Sequence, residues 1–330
     1  MNLVISFTDE GEILGNKIAD IIETTHVRSS KYSGKIRELI GQSWRDMESI
    51  IFVSSTGIAI RYIKDFIISK DVDPAIIVID DTGKNVISLL SGHLGGGNEL
   101  AEKLAIELNS YPVITTATDN RGIESVDVYS KKHNLQIENI KDIKVISMLM
   151  IENKIIGFYS DFDLPLINYK YTREVDSLKN ISNLDGIIIV TNKIIEKPDI
   201  PNIILRPKNL AVGIGCKKDM SGERIINAVK SELEKLELSE LSLYKFGTVE
   251  AKKDEKGIFE AAKYFNCDVR VFENEEIAKV EDMFEKSQFV KDTIGVYNVS
   301  EPACHLLGGK IISGRQKYNG ITVSIGEINL

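Results

Sequence analysis

One histidine, a crowd of hydroxyls and a run of glycines carry the chemistry that this chain advertises. In Ser88-Leu89-Leu90-Ser91-Gly92-His93-Leu94-Gly95-Gly96-Gly97-Asn98-Glu99-Leu100, His93 sits among four glycines, between an apolar run and a helix-like segment. Glycines near a helix start leave backbone N–H groups facing outward, and the helix end carries partial positive charge. Such a turn can bind a carboxylate or phosphate, or stabilise an oxyanion. An imidazole in that turn can act as a general base near neutral pH, or ligate a metal. The plainer reading is a tight strand-to-helix turn with a surface histidine. Neither GxGxxG nor a phosphate-loop pattern fits here, so a nucleotide fingerprint is unsupported.

A second segment, Pro112-Val113-Ile114-Thr115-Thr116-Ala117-Thr118-Asp119, places hydroxyls at the C-terminal end of a strand. Ligand sites of α/β sheets usually form there. Asp119 could orient a histidine or activate water; alternatively the threonines are β-formers and Asp119 caps a helix. In Ser55-Thr56-Gly57-Ile58-Ala59-Ile60-Arg61, Arg61 lies one turn into a helix. It could fork onto a carboxylate, or simply be solvated. Gly213-Ile214-Gly215-Cys216-Lys217-Lys218 repeats the strand-glycine-helix logic with two lysines, which suits a second anionic group. No histidine is near Cys216 in sequence, and a buried structural cysteine is the commoner case. Asp254 reads as an N-cap, Ser300 with Pro302 as cap and first turn, and Glu273 to Glu285 as a solvated helix face.

The elements around these residues alternate. Leu3 to Phe7, Ile50 to Val53, Ala75 to Ile79, Val86 to Leu90 and Pro112 to Thr116 read as strands. Helical spacing covers Gly11 to Ile22, Ile58 to Ile68 and Asn98 to Leu108. Asp81-Thr82-Gly83-Lys84 has hairpin turn chemistry. Lys131 to Lys144 is a polar connector with some helix, and Lys154 to Tyr159 and Gly186 to Thr191 are strands of a small middle unit. A new β-α rhythm starts at Leu210 and ends in two strands around Tyr318-Asn319-Gly320. The expected fold is multi-domain α/β: an N-terminal layered domain over 1–132, a middle unit over 133–206 and a C-terminal layered domain over 207–330.

Hydrophobic residues make up 43% of the chain and charged residues 27%, as in a globular enzyme. With 41 Lys+Arg against 49 Asp+Glu, the net charge of -8 argues against general nucleic-acid binding. A polyanionic ligand must then be held by local features. Cys216, Cys267 and Cys304 lie far apart with no CxxC pair, which fits a reducing compartment and not a zinc ribbon. MNLVISFTDEGE turns acidic after a short apolar run, unlike a signal peptide, and no run reaches membrane-span length. A cytosolic location with no membrane partner is expected.

Taken in order, TGIAIR, the Lys70-Asp71-Val72-Asp73-Pro74 step, LLSGHLGGGNELA and PVITTATD resemble the cobalt-precorrin-5A hydrolases of anaerobic cobalamin biosynthesis. GIGC, the KKDE helix start, VSEPA and the closing Gly-Ile-Thr-Val-Ser-Ile strand extend the resemblance over nearly the whole chain, though about 135–205 contributes no motif. Gly97 is a small departure where the family more often has alanine. It loosens the helix start by roughly 1 kcal/mol.

The resemblance implies a three-part hydrolase. It opens the δ-lactone of a cobalt-bound, ring-contracted tetrapyrrole and releases a two-carbon fragment as acetaldehyde, giving cobalt-precorrin-5B. The cobalt belongs to the substrate, so no cofactor or protein metal site is implied. Hydrolysis needs a base and oxyanion stabilisation. His93 suits the first role and the Gly92 to Gly97 amides, including Gly95 and Gly96, suit the second. Asp119 is an alternative base, and Ser91 a candidate nucleophile. The many carboxylates of the substrate would be held by Arg61, Arg121, Lys217 and Lys253, with Gly57, Asn98, Thr115, Thr116, Thr118, Gly213, Gly215, Cys216 and Glu301 as further contacts. Two other readings stay open: a non-catalytic corrinoid carrier with His93 as axial cobalt ligand, and a phosphate-binding module. A homodimer is compatible with either enzyme or carrier.

Overall fold

Continuous apolar runs dictate where the chain forms buried sheet. The computed structural model describes residues 1–32, 35–69, 72–93, 95–118 and 121–330. These fall into two compact units, Met1–Tyr129 with Asn168–Lys170, and Ser130–Ile167 with Tyr171–Leu330.

The first unit contains β1 (Asn2–Ser6), α1 (Asp9–Ile21), β2 (Thr24–Arg28), α2 (Ile36–Ser43), β3 (Ser49–Val53), α3 (Thr56–Ile63), β4 (Ala75–Ile79), β5 (Asn85–Leu90), α4 (Gly97–Leu108) and β6 (Tyr111–Val113), followed by the start of α5 (Val126–Lys132). Its sheet has the order β2-β1-β3-β4-β5-β6. The pairs β2–β1, β1–β3, β3–β4 and β5–β6 are parallel, while β4–β5 is antiparallel. Every residue of β3 and β4 is buried, as expected of strands covered on both faces. Alternation sends Leu3, Ile5, Ile50, Phe52, Ile76 and Val78 into one core with Ile40, Trp44 and Ile63. It sends Val4, Ile51, Val53, Ile77 and Ile79 into the other, with Ile18, Ala101 and Leu104.

The β4–β5 hairpin is built on Asp80. Its carboxylate accepts from the Thr82, Lys84 and Asn85 amides, the Asn85 side chain and the Thr82 hydroxyl. Burial opposes its ionisation, but the Thr82 hydroxyl and the Asn85 and Lys84 amides outweigh that and hold the carboxyl at about 2. Gly83 supplies the left-handed turn residue, at φ 69°.

In the second unit, β7 (Leu135–Ile137), α6 (Lys141–Ile151), β8 (Ile156–Ser160), β9 (Thr172–Glu174), β10 (Gly186–Val190) and β11 (Asn202–Pro207) form a sheet of order β7-β11-β10-β8-β9. Only β7 runs antiparallel to its neighbour in that sheet. The remainder is β12 (Leu210–Cys216), α7 (Gly222–Lys235), β13 (Leu243–Val249), α8 (Lys256–Tyr264), β14 (Asp268–Phe272), α9 (Asn274–Ala278), α10 (Gln288–Ile294), α11 (Ser300–Leu306), β15 (Lys310–Tyr318) and β16 (Ile321–Glu327). Its sheet order is β14-β13-β12-β16-β15. Asn192 donates to Glu327 at 2.6 Å and to Asn209 at 3.3 Å, and this tie joins the two sheets of the unit. Helices α7 and α8 cover one face of the β12 sheet, and α11 packs against β12, β13 and β16.

Several expectations are corrected. The strand expected to Thr116 ends at Val113, and the helix expected to Ile68 ends at Ile63. The supposed connector 131–144 holds the end of α5, all of β7 and the start of α6. β2 escaped notice because only Val27 of TTHVR is buried. The N-cap of α8 is Glu255 and not Asp254, and that of α11 is Val299 and not Ser300. Glu281 is no solvated face residue: it is buried and accepts the Tyr297 amide at 2.7 Å. The step residues Lys70 and Asp71 lie outside the described residues. Among the described residues, no helix is long and apolar enough to cross a membrane.

Candidate active site

The turn between β5 and α4 is as tight as its glycines suggest. Ser91 takes φ 56° and Gly96, the N-cap of α4, φ 76°. A Cβ on Gly95 would lie 2.7 Å from the Ser91 carbonyl oxygen, and one on Gly92 would lie 2.5 Å from Asn98 Oδ1. The glycines are therefore required by close approach of the loop to itself. The loop also consumes several of its own donors. The Gly96 amide donates to His93 O at 3.0 Å, Gly97 to Ser91 O at 3.1 Å and Asn98 to Gly92 O at 2.9 Å. This corrects the expectation that the whole glycine run presents free amides. The Gly92 and Gly95 amides make no hydrogen bond among the described residues, and they keep the donor capacity.

The two sequence segments meet here. Asn98 Nδ2 donates to Thr116 Oγ1 at 3.0 Å, and His93 Nε2 lies 3.4 Å from Thr118 Oγ1. His93 Nδ1 lies 3.6 Å from Asp127 Oδ2. Asn98, Thr118 and Asp127 are buried, while the His93 side chain keeps 17% exposure. The meeting follows from topology. Leu90 pairs with Ile76 and Val86 with Ile79, so β5 runs back toward the start of β4, and β6 runs parallel to β5. The segments leaving β5 and β6 therefore emerge at one edge of the sheet.

Other expected residues are not brought to that edge. Gly57 and Arg61 follow Val53, which pairs with Ile79 at the far end of β4. A strand of this length separates the two edges by about 13 Å. Arg61 is exposed and donates to Gly57 O at 3.3 Å. Thr115 and Arg121 are exposed, and Arg121 donates to Ala117 O at 3.2 Å. Asp119 lies outside the described residues. The Ser91 hydroxyl is buried and has no hydrogen-bond partner among the described residues, so no base is placed on it. The hydroxyl next to the imidazole is that of Thr118.

Gly213, Gly215, Cys216, Lys217, Lys253 and Glu301 belong to the second unit. A Cβ on Gly213 would collide with Ser300 O of α11, which gives this glycine a packing reason. A Cβ on Gly215 would lie 2.6 Å from Thr322 Oγ1. Burial pushes the Cys216 thiol up to about 11, with Lys252 opposing and Glu255 adding to the effect, so it is a poor nucleophile. The Lys217 amide donates to Gly320 O at 2.8 Å. Lys253 pairs with Glu250 at 3.4 Å, and Glu301 accepts from Asn298 at 2.6 Å. Two surface hollows, one lined by Tyr244, Phe259 and Cys267 and one by Gly41, Trp44 and Phe66, contain none of the expected site residues.

Asp127 was missed in the sequence. It lies 34 positions after His93, and its only local signal is a helix start after Ser125.

Three family descriptions match in succession: "Cobalamin synthesis G N-terminal" over residues 38–119, "Cobalamin biosynthesis central region" over 124–207 and "Cobalamin synthesis G C-terminus" over 210–326. The cobalt-precorrin-5A hydrolase of Salmonella typhimurium is 31% identical, across 97% of this chain and 95% of its own. That of Priestia megaterium is 30% identical, across 90% and 83%. A probable cobalt-precorrin-5A hydrolase of Methanocaldococcus jannaschii is 30% identical, across 99% of each.

Proposed function

The chain belongs to the cobalamin synthesis G family, and from that premise we infer that it is a cobalt-precorrin-5A hydrolase. It opens the δ-lactone and releases acetaldehyde to give cobalt-precorrin-5B. The single observation that carries the site is the His93 imidazole in the closed β5–α4 turn, with Nε2 beside the Thr118 hydroxyl.

A water oxygen adds to the lactone carbonyl, and His93 Nε2 takes its proton. The Gly92 and Gly95 amides face the developing oxyanion. Collapse expels the ring oxygen, which receives the proton from His93 and becomes a carbinol, while the carbonyl carbon becomes a carboxylic acid that gives its proton to solvent. His93, neutral again after that transfer, takes the carbinol proton, which allows the carbon-carbon bond to the macrocycle to break. The bonding pair moves into the conjugated ring, and the two carbons leave as acetaldehyde. The metal enters with the substrate and leaves with the product. A soluble small-molecule enzyme of the cytosol is the setting that fits this role.

The carrier reading is weaker, because the similar relatives are named as hydrolases. Acetaldehyde release from cobalt-precorrin-5A by the purified protein separates the two. Replacing His93 with Gln should slow that release by roughly 10²-fold or more. A spectral change without aldehyde in the wild-type protein would favour the carrier. Unimpaired turnover in His93→Gln would remove His93 from the mechanism.

A further inference from the structure

The two ring nitrogens of His93 face different chemistry. Nδ1 looks at a carboxylate, Asp127 Oδ2 at 3.6 Å, and Nε2 looks at a hydroxyl, Thr118 Oγ1 at 3.4 Å. An ionised carboxylate only accepts hydrogen bonds, whereas a hydroxyl can donate or accept. One neutral tautomer satisfies both neighbours: Nδ1–H directed at Asp127, with the Nε2 lone pair toward Thr118. The other tautomer would aim a lone pair at a buried anion, and low local dielectric makes that costly.

Asp127 is well placed to impose this choice. Its side chain is 5% exposed, so it is held by the fold and not by solvent. It rides the first turn of α5, whose Val126 and Tyr129 are fully buried and pin the helix. Both gaps are longer than closed hydrogen bonds, as resting catalytic pairs often are before substrate draws them together.

We propose that Asp127 is a positioning residue that holds the His93 imidazole as its Nδ1–H tautomer, leaving Nε2 as the basic nitrogen of lactone opening. It also stabilises the imidazolium formed when His93 takes the proton from water. The inference rests on the reading of His93 as the base, and it assigns Asp127 no contact with substrate.

The test combines a tautomer measurement with turnover. Protein labelled with ¹⁵N in its four histidines gives imidazole ¹⁵N–¹H correlations, and the His93→Gln variant identifies the signals of His93. At alkaline pH, where imidazoles are neutral, wild-type His93 should show the Nδ1–H pattern. In Asp127→Asn the amide can donate to Nδ1, and the pattern should move to Nε2–H. Acetaldehyde release by that variant should fall roughly 10²-fold or more, in kcat and not in KM, with partial recovery in Asp127→Glu. An Nε2–H pattern in the wild-type protein overturns the proposal without any variant. So does an unchanged pattern in folded Asp127→Asn. A tautomer switch accompanied by full turnover in His93→Gln instead refutes the base assignment and leaves the Asp127–His93 coupling supported.

Discussion

Substituting Gly213 with alanine separates packing from substrate contact in the C-terminal sheet. The added Cβ would overlap Ser300 O and lie 2.7 Å from the Ser300 carbonyl carbon and 2.9 Å from the Cys304 amide nitrogen. These are backbone atoms of α11, so no side-chain rotation relieves the overlap. The helix would have to move off β12, against the fully buried Ala303 and Cys304. Overpacking of this kind costs 1–3 kcal/mol, and a backbone obstacle puts the effect near the upper end, about 3 kcal/mol. For a unit of roughly 200 residues each kcal/mol moves the midpoint by roughly 2–4 °C, so the melting temperature should fall by about 6–12 °C. Far-UV circular dichroism melting of ligand-free protein reads this directly, and acetaldehyde release gives KM beside it. A Gly213→Ala protein that melts within about 2 °C of wild type but shows a raised KM would refute the packing argument and return Gly213 to the substrate.

Two further outcomes follow from ionisation. The Asp80 carboxyl sits at about 2 in the fold against an ordinary 3.8, so its ionised form stabilises the hairpin. That contribution is present above about pH 4 and is lost as pH falls through about 2. Asp80→Ala should therefore cost about 1–2 kcal/mol near neutrality, with the gap to wild type closing in acid; denaturant titrations across that range would show a constant gap if the hairpin reading fails. Because the Cys216 thiol is pushed up to about 11, it should react slowly with iodoacetamide near neutral pH. Cys216→Ser should then keep acetaldehyde release within about twofold of wild type, and a loss of 10²-fold or more would make Cys216 a nucleophile after all.

Local chemistry made much of this protein legible from its residues. The apolar runs of β3 and β4 read as strand, Asp81 to Lys84 as a hairpin turn, and the LLSGHLGGGNELA and PVITTATD segments carried the family resemblance. These signals survive in one dimension because they depend on side-chain period, turn geometry and residue order. The edge strand β2 was hidden because only Val27 of it is buried, and β7 because it is three residues long.

Assembly of the site depended on three dimensions. Reversal of β5 against β4 sent His93 to one edge of the sheet and left Arg61 at the other, although both follow apolar strands in the same way. Folding the glycine turn onto itself closed the Gly96, Gly97 and Asn98 amides, while those of Gly92 and Gly95 make no hydrogen bond among the described residues. Asp127 reached His93 across 34 positions of chain because α5 is pinned by its own buried residues. Residue types state which chemistry is available; strand direction and packing decide which groups come within reach of one another.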